Sequence, residues 1–378
     1  MINQGYIAQK TFKFKEGFRM CGNCNININE VKSEQFGEKM IAVLNHGAIT
    51  IMISIGHRTG LFDAMGELPP SASAEIAKEA GLNERYVREW LGAMVTGGVV
   101  EYDPHNGTYH LPGEHAAWLT RKATPNNFAV STQWFSIAGS VEDKLVECFE
   151  KGGGVPYEAY NRFNEVMSEE SNQTVVVPLL DHLLPLIPGI KEKLEAGIEA
   201  LDVGCGSGFA LVEMAKAYPN SNFTGYDFLP EAIERGKTRA RKYGLTNISF
   251  AAKDVSKFED TERFDLITTF DAVHDQADPD RVLSNIYRAL KDDGFYFMQD
   301  IKGSSHVDKN MNNPLAPFLY TVSCTHCMTV SLAQGGKGLG AMWGKELACD
   351  MLKKAGFANI DIKELPHDPI NYYYIIRK

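Results

Sequence analysis

The chain has 378 residues, enough for two domains and a sizeable core, and 44% of its residues are hydrophobic. Its 38 basic and 48 acidic residues give a net charge of −10, which argues against a general polyanion-binding protein because affinity for phosphate requires a basic face. The longest apolar run that we recognise, Ala48 to Ile55, is too short to cross a membrane, and no apolar core follows the basic start of the chain. We therefore expect neither a membrane span nor a secretory signal.

The cysteines predict a reducing environment. There are seven, an odd number, and they are scattered along the sequence, which is typical of free thiols in a cytoplasmic protein. Two Cys-x-x-Cys pairs occur, Cys21/Cys24 and Cys324/Cys327. The pairs lie far apart in the sequence, whereas structural zinc sites hold their ligands in compact knuckles. We predict no metal site.

The first third of the chain predicts a flexible arm followed by a winged helix. Residues 1–32 are rich in turn formers, and apolar residues recur at helical spacing from 33 to 62. A short helix over 73–80, a turn with Asn83 as helix N-cap, a second helix over 84–96 and a β-hairpin follow. We assign residues 33–124 to this winged-helix domain. Residues 73–103 contain three basic and six acidic side chains, so we expect no nucleic-acid binding.

The sequence predicts a helical segment over residues 125–189, between the winged-helix domain and the domain that follows it. They are rich in aromatic residues and helix formers, among them Trp134, Tyr157 and Tyr160. These three side chains are candidates for lining a ligand pocket. Their helical spacing also fits simple packing of helices on the following domain, and we favour packing.

The strongest motif is a glycine turn from Ala200 to Gly208, where an apolar strand meets a helix through Gly204, Gly206 and Gly208. Glycine suits such a turn because the backbone adopts unusual angles and a ligand approaches it closely. Asp227 ends the next predicted strand, about 20 residues further on, where a carboxylate can accept both hydroxyls of a ribose. Asp202 precedes the turn and would repel a pyrophosphate, but it suits a cationic ligand.

These residues resemble the class I S-adenosylmethionine-dependent methyltransferases. Residues 201–208 match the first motif of that family, 225–227 the second, and 252–255 the motif that contacts adenine. The resemblance implies an α/β fold for residues 190–378, with a Rossmann-like sheet of seven strands whose last strand is antiparallel. It also implies S-adenosylmethionine as the cofactor. The residues expected to contact it are Asp202, Gly204, Cys205, Gly206, Gly208, Asp227, Phe228, Asp254, Val255 and Phe270.

A histidine lies where chemistry is expected. The fourth strand of the domain ends at Phe270, and His274 follows in a loop at the carboxyl edge of the sheet, which lines the active crevice in such folds. Methyl transfer to a hydroxyl requires removal of a proton, and histidine titrates in the appropriate range. His274 is therefore our candidate base, although a packing or cofactor-contact role stays open. We expect the following Asp275 to cap the helix near Pro279.

Residues 302–344 are too long for a simple connection and predict a lid or additional helices near the acceptor. Within this insert, His326 and Trp343 are candidate acceptor contacts, and a packed helix followed by a glycine loop is the alternative. Residues 271–275 and 326–333 also resemble a family of winged-helix methyltransferases found in mycobacteria and invertebrates.

The resemblance implies a cytoplasmic enzyme that methylates a small molecule. Winged helices precede the catalytic domain in small-molecule methyltransferases, where they dimerise, so we expect a homodimer. The predicted pocket and His274 favour oxygen as the methyl acceptor, and a thiol or an amine is the alternative. A non-catalytic regulator that uses the winged helix for DNA or protein contacts is an alternative of another class. A nicotinamide dehydrogenase would need a pyrophosphate turn that this sequence lacks.

Overall fold

The computed structural model describes residues 29–366 and 368–378. The chain forms two compact units, which divide between Lys122 and Ala123. Most of the predicted N-terminal arm, with Cys21 and Cys24, lies outside the described residues. The predicted boundary of that arm at residue 32 is slightly late, because the chain is already helical from Glu30.

The first unit begins with helix α1, Glu30–Thr59, which is 30 residues long. The Asn29 side chain caps it by accepting a hydrogen bond from the Lys32 amide at 3.1 Å, and the helix ends at Gly60 in the left-handed conformation. By length and composition this helix could cross a membrane. We expected no such span because we counted only the run from Ala48, but residues 40–57 contain no Asp, Glu, Lys or Arg.

The winged helix follows as predicted. It consists of a short helix after α1, two helices joined by a turn, a two-stranded antiparallel hairpin and a closing helix: α2 Leu61–Glu67, α3 Ser73–Ala80, α4 Glu84–Thr96, β1 Glu101–Asp103, β2 Thr108–His110 and α5 Gly113–Leu119. The Asn83 side chain caps α4, which confirms the predicted cap. Trp90 anchors the core of the unit, with its indole N–H donating to the Met52 carbonyl at 2.8 Å and its ring edge packed on Phe62.

The second unit opens with a helical layer. Its helices are α6 Gln133–Gly139, α7 Glu142–Lys151, α8 Phe163–Ser171 and α9 Ile190–Ala196. Wide π-helical turns at Asn172–Val176 and Leu179–Leu183 connect α8 towards α9. Residues 163–196 also match the composition of a broken membrane span, but Val175, Leu179 and Leu183 are buried in the core of this unit.

Seven strands form one sheet in the spatial order β5-β4-β3-β6-β7-β9-β8. They are β3 Glu199–Val203, β4 Asn222–Asp227, β5 Ile248–Ala252, β6 Phe264–Phe270, β7 Leu290–Ile301, β8 Asn359–Leu365 and β9 Asp368–Arg377. Strand β9 lies antiparallel between β7 and β8, while the pairs among β3 to β7 are parallel. This topology confirms the predicted α/β fold with an antiparallel last strand.

The remaining helices cover both faces of the sheet or form the insert after β7. They are α10 Phe209–Ala217, α11 Pro230–Lys242, α12 Pro279–Ala289, α13 Val307–Asn310, α14 Ala316–Val322, α15 Met328–Ala333 and α16 Gly344–Ala355. Side chains alternate along each strand between two buried clusters, so that Ala200 packs on one face and Leu201 on the other. Because strands β3, β4 and β6 run parallel, they end at a common edge of the sheet. The loops that carry the candidate site meet at this edge.

Candidate active site

The glycine turn after β3 has the left-handed backbone angles that its sequence predicts. Gly204, Gly206 and Gly208 have φ angles of 77°, 52° and 67°, a region that favours glycine. A Cβ on Gly208 would lie 2.3 Å from the Phe250 ring, so a side chain is excluded there by packing as well. The amide groups of Gly204 and Cys205 both donate to the Tyr226 carbonyl, which fixes the turn against β4.

Two buried carboxylates flank this turn. Asp227 accepts hydrogen bonds from the amides of Gly206 and Leu229, each at 2.9 Å, and its remaining lone pairs can accept ribose hydroxyls. Asp202 is 3% exposed and accepts one hydrogen bond, from the Thr268 hydroxyl at 2.7 Å. Burial raises the pKa of Asp202 to about 7, against the opposing effect of Thr268. A bound cation would restore the charged form.

A cavity of ≈ 1090 Å³ lies over the turn. All but one of the predicted cofactor residues line it, namely Asp202, Gly204, Cys205, Gly206, Gly208, Asp227, Phe228, Val255 and Phe270. The exception is Asp254, which is exposed and accepts hydrogen bonds from Ser256 at 2.6 and 3.0 Å. Its carboxylate also pairs with Lys257 at 2.8 Å, so it is engaged at the surface and does not line this cavity.

A second cavity of ≈ 690 Å³ adjoins the first. The two share Phe163, Met167, Asp271 and Asp275 in their linings, so they are neighbouring parts of one crevice. Its walls are largely apolar, and the α14 region contributes Phe318, Leu319 and Val322. We call it the acceptor pocket.

His274 lies in the wall of the acceptor pocket and is 3% exposed. Its Nδ1 lies 2.8 Å from Oδ1 of Asp300, a fully buried carboxylate in β7, which assigns the proton to Nδ1 and leaves Nε2 as the basic nitrogen. The Cys327 side chain is a further hydrogen-bond partner of the ring. Burial lowers the pKa of His274, but Asp300 and Cys327 raise it more, so that the net pKa lies well above its usual value.

Asp271, His274 and Asp300 also have ligand atoms within 4.8 Å of one another, a spacing that a metal ion would accept. However, Nδ1 of His274 is already hydrogen-bonded to Oδ1 of Asp300. The same oxygen accepts from the Trp343 indole at 2.9 Å and from the Ile301 amide at 2.8 Å. We therefore interpret the group as a base with its orienting carboxylate, and the absence of a metal stays a prediction.

The remaining acceptor candidates occupy different places. Trp134 and His326 line the acceptor pocket, and Tyr157 lines the cofactor cavity. Tyr160 lines neither cavity, but its hydroxyl donates to the Thr325 carbonyl and its ring lies 4.9 Å from that of His326. The indole N–H of Trp343 donates a hydrogen bond to Oδ1 of Asp300 at 2.9 Å.

His326 and Asp275 have definite environments. The His326 ring stacks on Phe163 at 4.1 Å, and burial lowers its pKa to about 3, so it is neutral. We expected Asp275 to cap the helix near Pro279, and this prediction is wrong. The cap of that helix is Asp278. Asp275 instead accepts a hydrogen bond from the Tyr157 hydroxyl at 2.5 Å.

Sequence reasoning missed several polar residues of this site, among them Asp271, which lines both cavities. Asp300 orients His274, while Glu170 and Asn371 line the acceptor pocket. The position of Asp300 at the end of β7, on the same edge as His274, was the one available signal. Glu170 and Asn371 come from α8 and β9, and nothing local in their sequence distinguishes them.

Comparison with protein families identifies two domains. The winged HTH domain described as Rv2258c-like matches residues 47–121, and a methyltransferase domain matches residues 194–356. Residues 194–356 are a class I methyltransferase domain. Its cofactor is S-adenosylmethionine, as predicted.

Similar solved structures share the fold of nearly the whole chain. Human N-acetylserotonin methyltransferase, solved with S-adenosylmethionine, has a TM-score of 0.67 and 18% identity, with 94% of this chain and 99% of that chain covered. A putative O-methyltransferase from Nostoc punctiforme has a TM-score of 0.66 and 18% identity, with 89% of this chain and 98% of that chain covered. PigF, solved with S-adenosylhomocysteine, has a TM-score of 0.62 and 18% identity, covering 93% and 100%.

Curated relatives are also methyltransferases. The mitochondrial ubiquinone biosynthesis O-methyltransferase of Candida albicans is 27% identical over 156 residues, 37% of this chain and 47% of that protein. Cycloartenol-C-24-methyltransferase 1 of Oryza sativa subsp. japonica is 27% identical over 306 residues, which are 80% of this chain and 77% of that protein. The chain thus matches less than half the length of the Candida protein.

Proposed function

We propose that the protein transfers the methyl group of S-adenosylmethionine to a hydroxyl group of a small acceptor, with His274 as the general base. The observation that carries this proposal is His274 in the wall of a largely apolar pocket next to the cofactor cavity, with its Nδ1 paired to the buried Asp300. When bound in the cofactor cavity, S-adenosylmethionine supplies an electrophilic methyl group. The Nε2 atom of His274 would take the hydroxyl proton as the acceptor oxygen bonds to the methyl carbon, and the electron pair of the broken carbon–sulfur bond would stay on the sulfur.

Asp300 contributes to this step through charge and orientation. It holds the imidazole by Nδ1 and stabilises the imidazolium that forms when the proton is taken. Because the pKa of His274 lies well above its usual value, the imidazolium must first lose its proton before it can act as the base. We therefore expect kcat/KM to rise with pH through that pKa.

Methyl transfer with isotopically labelled S-adenosylmethionine tests this proposal. Panels of phenols, thiols and amines are incubated with the enzyme, and the product mass identifies the methylated atom. Transfer to phenols supports the proposed function, whereas transfer restricted to thiols or amines would replace it. Cofactor binding without any transfer would favour a non-catalytic regulator.

We propose that the first unit forms a homodimer rather than a DNA-binding module. On α4, Arg88 pairs with Glu84 at 3.4 Å and Arg85 pairs with Glu89, so its basic side chains are locally neutralised. Helix α1 carries an exposed row of large apolar side chains at helical spacing: Phe36, Met40, Val43, Leu44, Ile51 and Ile55. Such a row supports pairing with a second copy, and a membrane is the competing partner.

Light scattering tests the dimer. Leu44 is 73% exposed, so Leu44→Glu should leave the fold intact and convert a dimer to a monomer. Asn45→Glu is the matched control, because it adds the same charge at an exposed position beside the row. A monomeric wild type would contradict the proposal, and sedimentation with lipid vesicles would assign α1 to a membrane.

We also propose a cytoplasmic location. Supporting it, Cys148, Cys205, Cys324, Cys327 and Cys349 are free thiols. Cell fractionation, combined with an assay of thiol state carried out without added reductant, tests this location. Recovery of the protein in an oxidising compartment would refute the proposal.

A further inference from the structure

Three buried oxygen atoms in the acceptor pocket have no hydrogen-bond partner within the described part of the chain. They are Oε2 of Glu170, Oδ1 of Asp271 and Oδ1 of Asn371, and all three residues line the pocket. Buried polar atoms are normally paired, so unpaired atoms facing a cavity indicate what a ligand must supply. The amide oxygen of Asn371 accepts hydrogen bonds at any pH, and the oxygens of Glu170 and Asp271 act purely as acceptors when their carboxyl groups are ionised.

The orientation of Asn371 is fixed by its neighbours. Its Nδ2 donates to Oδ2 of Asp368 at 2.9 Å, and the same oxygen accepts from the Tyr373 hydroxyl at 2.5 Å. An amide oxygen in that position would face a carboxylate, so the amide cannot be reversed. Asn371 is 1% exposed, and its unpaired oxygen is therefore a fixed acceptor.

The pocket lacks a matching positive charge. None of the described residues that line it is Lys or Arg, while Glu170, Asp271 and Asp275 are acidic. When His274 is protonated, its charge is shared between Asp300 and Asp271, and His326 is neutral. Burial raises the pKa of Glu170 to about 7, against the opposing effect of hydrogen bonds from Ser131 and Trp134, and burial raises the pKa of Asp271 well above its usual range. These shifts indicate carboxyl groups without a sufficient counter-charge.

The geometry points to an acceptor that carries a protonated amine in addition to the hydroxyl that receives the methyl group. Resting on the proposed function, this inference places the hydroxyl at His274 and the ammonium group among Glu170, Asp271 and Asn371. The apolar walls, including Phe163 and Phe318, enclose the body that joins the two groups. An ammonium group supplies three donors and the missing charge, whereas a carboxylate would face like charges.

Three probes with a common para-hydroxyphenyl body test the inference. Tyramine is cationic, para-ethylphenol is neutral and para-hydroxyphenylpropanoate is anionic. We expect kcat/KM for tyramine to exceed that for para-ethylphenol by roughly tenfold or more, with the anion as the poorest substrate. Competition binding to the enzyme loaded with S-adenosylhomocysteine should give the same order.

Charge-removing variants assign the preference to the pocket. Glu170→Gln, or Asp271→Asn if the first variant folds poorly, should lower the ratio of kcat/KM for tyramine to kcat/KM for para-ethylphenol roughly tenfold. Glu169→Gln is the matched control, because Glu169 neighbours Glu170 on α8 and does not line the pocket.

The outcomes separate this inference from the proposed function. Equal activity with tyramine and para-ethylphenol, or a preference unchanged by Glu170→Gln and Asp271→Asn, would overturn the inference and leave O-methylation standing. Failure of all three probes to bind at millimolar concentration, while S-adenosylhomocysteine binds, would also overturn it. Methylation of the tyramine nitrogen alone would contradict the proposed O-methylation.

Discussion

Asp300→Asn removes a charge from the base while leaving its hydrogen bonds in place. Oδ1 of Asp300 accepts from His274 at 2.8 Å, from Trp343 at 2.9 Å and from the Ile301 amide at 2.8 Å. Oδ2 is buried and has no hydrogen-bond partner within the described residues. The carbonyl oxygen of Asn can replace Oδ1, with its amide group in the place of Oδ2. The variant therefore isolates the effect of the charge.

The expected effect is a shift of the pH profile to lower pH. An adjacent opposite charge typically moves a pKa by about 1–3 units, so the pKa of His274 should fall by that amount, equivalent to about 1.4–4 kcal/mol. The weaker base should also lower the plateau of kcat roughly tenfold. Asp271, Asp275, Cys327 and His326, which also face His274, are unchanged in this variant.

The assay is kcat/KM and kcat as functions of pH, with the exposed Asp308→Asn as a charge-matched control. Binding of S-adenosylhomocysteine to both variants verifies that the fold is retained. A loss of rate with an unmoved profile would show that Asp300 acts by packing alone. A wild-type profile that does not rise with pH would refute the base role of His274.

Three further predictions concern the cofactor cavity. Burial raises the pKa of Asp202 to about 7, so affinity for S-adenosylmethionine should fall as pH decreases through that value, and calorimetry of Asp202→Asn should show weaker binding with little pH dependence. Gly208→Ala should destabilise the protein by about 2–5 kcal/mol in denaturant unfolding, because φ is +67° and the Cβ meets Phe250, whereas Gly206→Ala, with open space, should cost about 1–2 kcal/mol. Asp227→Ala should abolish cofactor binding in calorimetry, and retained affinity would show that another group holds the ribose.

The cofactor side of the site was predictable because its chemistry is local in sequence. The turn from Gly204 to Gly208 and the carboxylate of Asp227 follow directly from strands whose apolar pattern is clear. The parallel order of those strands brings the motifs to one edge of the sheet. Asp254 is the exception, because its sequence position fits an adenine contact whereas Ser256 and Lys257 engage its side chain.

The acceptor side was not predictable to the same degree because it is assembled from distant segments. Asp300 and His274 meet only through the pairing of β6 with β7, and Trp343 reaches them from the insert. Glu170 and Asn371 come from opposite ends of the second unit and meet in the pocket through tertiary packing. No spacing rule connects such residues in the sequence.

The most direct test of the account is turnover of His274→Ala with the best acceptor of the panel, together with its affinity for S-adenosylhomocysteine. We expect kcat to fall about 10²–10⁴-fold, the range that general-base catalysis contributes, while the dissociation constant stays at the wild-type value. Weaker cofactor binding with unchanged turnover at saturation would instead make His274 a binding residue and contradict the proposed mechanism.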